Sequence, residues 1–185
     1  MGELISTGLQ LYVRPPARML LDLDSLSHDE ILAMMVGGSL QVGGGMGPVD
    51  SVEASILNHA VNKATWTPPA SYYLGVSTTT PTDAAGNFTE PSGGSYARVN
   101  IVTADWNSAS GTAPTVVTNA NAIAFPAATG SWGALTHGGL FAASSGGSPL
   151  WLGALTATAT VNTGGTLSFA AGQIVFQLGE PSDSY

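Results

Sequence analysis

Three histidines and twelve carboxylates are the side chains here that could serve as acids, bases or metal ligands, because the 185-residue chain has no cysteine. A reactive or metal-binding centre needs several such groups to converge. His28 stands beside Asp29 and Glu30 at a helix start, where capping accounts for it. Asp22-Leu23-Asp24 lacks the following Gly and the distal Glu of a calcium loop. His59 lies on a helix without a histidine four residues away, so it is not half of a zinc pair. His137 opens an apolar strand after Trp132-Gly133 and could form a dyad with Asp105, but no Gly-x-Ser-x-Gly elbow supplies a nucleophile, and a structural hydrogen bond is expected. The run Gly43-Gly44-Gly45-Met46-Gly47 departs from a dinucleotide loop at Pro48, and no Gly-Lys-Ser/Thr follows, so it reads as a hinge. A glycan-cleaving enzyme needs two carboxylates about 5–10 Å apart. Asp83, Glu90 and Asp105 are the candidates downstream of Trp66, and Arg98 is expected to pair with Glu90 or Asp105. No catalytic, cofactor-binding or metal residue is assigned, no cofactor is expected, and the chain reads as non-enzymatic. Trp66, Trp106, Trp132 and Trp151 could stack on sugar faces, yet with only five Phe available they are expected in the core or at subunit interfaces.

The elements that would hold these residues divide by charge. Residues 1–66 carry ten of the sixteen charged side chains, residues 67–179 only Asp83, Glu90, Arg98 and Asp105, and the end adds Glu180 and Asp183. Four basic residues and a net charge of -8 argue against nucleic acid and against anionic membrane as partners. No apolar run approaches the roughly 18 residues of a spanning helix. Residues 1–50 are expected to form an extended amino-terminal arm in which Ser27-His28-Asp29-Glu30 starts a short helix stopped by Gly37-Gly38. Asp50 with Glu53 three residues on starts a second, amphipathic helix over 51–66, reaching about Ala64, with Val52, Ile56, Leu57, Ala60, Val61 and Ala64 on one face.

From Pro68-Pro69 onward short β-type segments alternate with turn clusters. Strands are expected near Tyr72–Ser77, Ala97–Val102, Thr115–Val117, Ala122–Phe125, His137–Ala142, Leu150–Thr156, Ala159–Val161, Leu167–Phe169 and Gln173–Leu178, with Gly133 and Gly172 at turns. The fold class is mainly β: an antiparallel β-sandwich of jelly-roll type over 67–179, preceded by the arm and one or two short helices and followed by an acidic tail at 180–185. Its exterior must consist of Ala, Ser, Thr, Gly and Asn. Such side chains cost little entropy and little desolvation to bury, which suits packing against copies of the chain, with a trimer as the expected oligomer. The arm cannot build a core alone and is expected to be held by a neighbouring subunit.

The text of residues 52–179 resembles a family of small β-sandwich virion proteins of tailed bacteriophages and prophages, of the tail fibre or minor virion type. The resemblance is carried by Tyr73-Leu74-Gly75-Val76-Ser77-Thr78-Thr79 with Pro81-Thr82, and by Glu90-Pro91-Ser92-Gly93-Gly94-Ser95-Tyr96-Ala97-Arg98. Phe125-Pro126-Ala127-Ala128-Thr129-Gly130-Ser131-Trp132-Gly133, Thr136-His137, Gly139-Leu140-Phe141, Gly153-Ala154-Leu155 and Ser168-Phe169-Ala170-Ala171-Gly172 continue it. Gly138 stands where the pattern has a larger side chain, and residues 1–50 fall outside it. The resemblance implies a non-enzymatic virion component. The expected role is a capsid decoration or cement protein that meets the major capsid protein or other virion proteins through the arm. The alternative is a tail-fibre or tail-tip module that meets a host-surface glycan.

Overall fold

The computed structural model describes residues 46–111 and 115–178. The first expected helix, His28, Asp22 and Asp24 lie outside the described residues, as do most of the arm and the acidic tail. The protein is mainly β, as its turn-punctuated sequence implies. The elements in chain order are β1 (Gly47–Pro48), helix α1 (Asp50–Ala60), β2 (Tyr72–Ser77), β3 (Val99–Ile101), a 3₁₀ turn at Thr103–Asp105, β4 (Thr115–Thr118), β5 (Ile123–Ala124), β6 (Gly133–Phe141), β7 (Trp151–Val161), β8 (Ser168–Phe169) and β9 (Val175–Leu178).

One antiparallel sheet of order β1-β7-β6-β2-β3 shares a hydrophobic core with two ribbons, β4-β9 and β5-β8. Leu74, Val76, Leu135 and Leu140 come to that core from the sheet, and Ile123, Phe125, Phe169 and Ile174 from the ribbon side. The second layer is thus two ribbons where a jelly roll has a continuous sheet. Asn119 supplies the physical reason. Its amide occupies the junction between the ribbons: the Ile174 N–H donates to its Oδ1 at 2.8 Å, and its Nδ2 donates to the Ala170 and Asn121 carbonyls at 2.8 and 2.7 Å. A side chain thereby takes over the bonding that a strand ladder would have supplied, and at zero exposure it leaves no polar atom unmet.

Met46 is fully buried, and Gly47–Pro48 pairs with Leu152 and Trp151 of β7. This end of the glycine run is therefore sheet and core, where the sequence suggested a hinge, because Met46 has an apolar core to enter. Helix α1 begins at Asp50 with Val49 as its N-cap, whose carbonyl accepts from the Val52 and Glu53 N–H groups. Asp50 and Glu53 sit in the first turn, where they favour the positive end of the helix dipole; neither caps it as a side-chain acceptor. The helix stops at Ala60, four residues short of the expected end. Asn62 takes the left-handed conformation (φ 57°), the Asn62 N–H bonds the His59 carbonyl and the Lys63 N–H bonds the Asn58 carbonyl, which is the Schellman closure of a helix.

The strand of expected bounds Tyr72–Ser77 is found with those bounds. The two segments expected at Leu150–Thr156 and Ala159–Val161 are one strand with a fault in it. Leu135 pairs with Ala159 but His137 with Ala154, so β7 carries three more residues than β6 across that interval. Thr136, at the fault, turns its hydroxyl to the Ser77 and Thr79 carbonyls.

Candidate functional site

Two arrangements are candidates for function, a buried charged clamp and an aromatic cleft. The clamp begins with two glycines. Gly75 on β2 lies opposite Gly139 on β6, leaving a window without side chains on the outer face of the sheet. The loop between β2 and β3 folds into that window. A Cβ on Gly75 would lie 2.8 Å from Glu90 Oε1, and one on Gly139 would lie 2.7 Å from the Phe88 ring. Close approach of the loop is thus what these positions require. Gly138, next door, points to the opposite face and has ordinary space, with nothing closer than 4.0 Å to its would-be Cβ.

Within the window Glu90 and Arg98 form a two-pronged pair: Nε donates to Oε1 at 2.9 Å and an Nη2 donates to Oε2 at 2.7 Å. The Arg98 side chain is only 3% exposed and Glu90 is 26% exposed. Arg98 Nη1 reaches the Ala143 and Gly146 carbonyls, both at 2.8 Å, and the guanidinium lies 3.3 Å from the centroid of the Phe141 ring. The Tyr96 hydroxyl donates to Glu90 Oε1 at 2.8 Å and accepts from the Val76 N–H at 3.0 Å. One cation therefore joins the β2–β3 loop, the end of β6 and the β6–β7 turn. Burial by itself pushes the Glu90 carboxyl up; the hydrogen bonds from Arg98 and Tyr96 and the Arg98 charge outweigh it and hold the carboxyl below its ordinary value. Burial chiefly, with the Glu90 charge adding to it, drives the Tyr96 hydroxyl far above the usual tyrosine range.

The clamp answers the expectation for Arg98: its partner is Glu90. Asp105 has a different task, with Oδ2 accepting from the Val102 N–H at 3.0 Å and Oδ1 from Asn121 at 3.2 Å, so it fastens the 3₁₀ turn. His137 does not meet Asp105. Its Nδ1 lies 2.9 Å from the Thr136 hydroxyl, and burial lowers its pKa. His59 Nδ1 accepts from the Trp66 N–H at 3.3 Å, closing the turn after α1. Gly172 stands at a turn as expected, whereas Gly133 is the first residue of β6, paired with Val161; both take φ of 80°. Among the described residues no group of three or more metal-ligating side chains stands together, and no helix is long and apolar enough to cross a membrane.

The second arrangement is a cleft of about 560 Å³ walled by Tyr72, Trp106, Trp151 and Phe176 and completed by Ala109 and the β4 residues Thr115, Val116 and Val117. Phe176 is the pivot of the wall. Trp106 meets it edge to face at 5.0 Å and Trp151 at 4.8 Å. None of the lining side chains carries a charge, and burial raises the Tyr72 pKa, so its hydroxyl stays neutral. The Trp151 indole N–H faces that hydroxyl without reaching hydrogen-bond geometry and is buried with no acceptor among the described residues. Trp132 does belong to the core, with its N–H on the Gly94 carbonyl at 2.9 Å. Sequence reasoning named the tryptophans one by one but missed the cleft, because Trp106, Trp151 and Phe176 come from three separated segments.

A family model described as podophage GP4 fiber I protein gp80 matches residues 48–177. The chain belongs to this phage fibre family. The match begins at β1 and ends in β9, so it coincides with the sheet, ribbons and clamp described above. Membership makes the chain a structural protein of the phage virion. Among curated proteins none matches the chain.

Proposed function

We propose that this fibre-family chain is a non-enzymatic building block of the particle that works as a tail-fibre or tail-tip module at the host surface and self-associates through its β-domain. The observation that carries the proposal is the family match across the whole described β-fold. Two features support it. The cation of residues 67–179 and its carboxylate partner are committed to holding a loop, which leaves Glu90 no role as an acid or nucleophile. The surface of the same segment is poor in charge and rich in small side chains, so it can be covered by a copy of itself at little desolvation cost.

That same surface, together with the 49 residues ahead of α1, favours a second reading: a capsid decoration protein whose arm clamps capsid subunits while the β-domain forms a trimer. Location separates the two. Cryo-electron microscopy of intact particles, with copy number counted by mass spectrometry against the major capsid protein, is expected to place a few copies at the tail. Hundreds of copies over the shell would overturn the fibre placement and establish decoration.

A further inference from the structure

Met46–Pro48 reaches both layers of the fold within three residues. On one side Gly47 and Pro48 pair antiparallel with Leu152 and Trp151 of β7, and the Val49 N–H donates to the Leu150 carbonyl at 3.0 Å. On the other side Met46 bridges Phe176 of β9 in parallel, with its N–H on the Val175 carbonyl at 2.6 Å and its side chain fully buried. The remaining backbone bonds of β4 and β9 among the described residues run to each other and to Asn107 and Ser110, not to the sheet. A ribbon of two four-residue strands is too small to stand alone, so its few ties decide how firmly it is held.

The aromatic cleft lies along the same seam. Phe176 comes from the ribbon, and Trp106 pairs with Asn119 at the ribbon's end, whereas Tyr72 and Trp151 belong to the sheet. The Trp151–Phe176 contact at 4.8 Å therefore joins sheet to ribbon, and its two rings belong to the residues that Pro48 and Met46 pair with. Closure also leaves the Trp151 indole N–H buried without an acceptor among the described residues, an unmet donor that opening would return to water. We propose that Met46–Pro48 is a strap whose release lets the β4–β9 ribbon part from the sheet as a unit, opening the cleft along the Trp151–Phe176 seam while the sheet stays folded. Such an opening costs less than unfolding, because only the contacts along one seam are given up. The 45 residues before Met46 join the fold at this strap, so the point where the amino-terminal segment meets the β-domain also sets the width of the cleft. The device is the same whether the chain stands at the tail or on the shell.

Native-state hydrogen exchange of the full-length chain in low urea, read by mass spectrometry, tests the strap. In the wild type the amides of Thr115–Thr118 and Val175–Leu178 are expected to exchange about tenfold or more faster than the most protected amides of β2 and β6. Met46→Ala removes the anchor and is expected to speed the ribbon amides about tenfold further. Met46→Leu, which keeps the apolar volume, is expected to hold them within about twofold of wild type. Leu135→Ala, an equally buried truncation on β6, is expected to lower global stability yet leave the ribbon rates within about twofold of wild type. Ribbon and sheet amides speeded alike by Leu135→Ala would overturn the proposal, because the two would then unfold as one. Ribbon rates unmoved by Met46→Ala would also overturn it and leave Met46 an ordinary core residue. If Met46→Ala does not fold, the wild-type chain decides: ribbon amides as slow as those of the sheet overturn the strap.

Discussion

Replacing Glu90 by Gln removes the charge of the clamp and little else. The carboxylate accepts three hydrogen bonds, from Arg98 Nε, Arg98 Nη2 and the Tyr96 hydroxyl. A glutamine can keep the two bonds to Oε1, but its amide then turns a donor toward Arg98 Nη2. The guanidinium stays in place, 3% exposed, with the Ala143 and Gly146 carbonyls and the Phe141 ring as its remaining company. Breaking a buried ion pair costs about 3–5 kcal/mol. Because Glu90 keeps some contact with water and two carbonyls still serve the cation, that cost is reduced to about 2–4 kcal/mol. At about 3 °C per kcal/mol this lowers the melting temperature by roughly 6–12 °C. Urea unfolding at fixed protein concentration, followed by tryptophan fluorescence, reads the loss; Trp132 lies 5.3 Å from Tyr96 and reports on the clamp. The sign with pH follows from the lowered Glu90 pKa. The contribution is full above the ordinary value of 4.5 and is lost as pH falls through the lower folded value, so wild type and Glu90→Gln converge in acid. A loss below about 1 kcal/mol at neutral pH, or no convergence in acid, would refute the reasoning.

Tyr96→Phe strands the buried Val76 N–H and takes one donor from Glu90, so a loss of about 1–3 kcal/mol is expected in the same urea assay. Gly139→Ala forces its methyl against Phe88 and is expected to cost about 1–3 kcal/mol, whereas Gly138→Ala, with ordinary space, is expected to be neutral or to raise the melting temperature. Asn119→Ala leaves the Ile174 N–H unpaired in the interior, while the Ala170 carbonyl keeps the Gln173 N–H, and is expected to lower stability by about 1–3 kcal/mol, with hydrogen-exchange protection lost first in β4 and β9.

What could be read from the chain follows the range of the interaction that decides it. Tyr72–Ser77 was legible because alternation is local, and the weak point in β7 was visible as a break between two apparent strands. The end of α1 was not, because an Asn in the left-handed conformation outweighs an apolar period that continues to Ala64. The Arg98 partner was narrowed to two by the scarcity of charge alone. Asn119 could not be anticipated: its partners Ala170 and Ile174 lie 51 and 55 residues away, and nothing local marks it as buried. The cleft was hidden for the same reason, and Gly138 drew attention that belongs to Gly139, since only the folded sheet says which face is crowded.

The fault in β7 bears on how such a chain tolerates crowding. β1 covers β7 only at Trp151 and Leu152, and the strand from Gly153 to Val161 contains no charge and no proline, the devices that usually discourage a sheet edge from recruiting another strand. The three surplus residues opposite Thr136 bend that border out of register with any straight partner. Irregularity thus does for this edge what lysines do elsewhere. A strand bent in this way can keep a neutral border without offering a template for amyloid-like stacking.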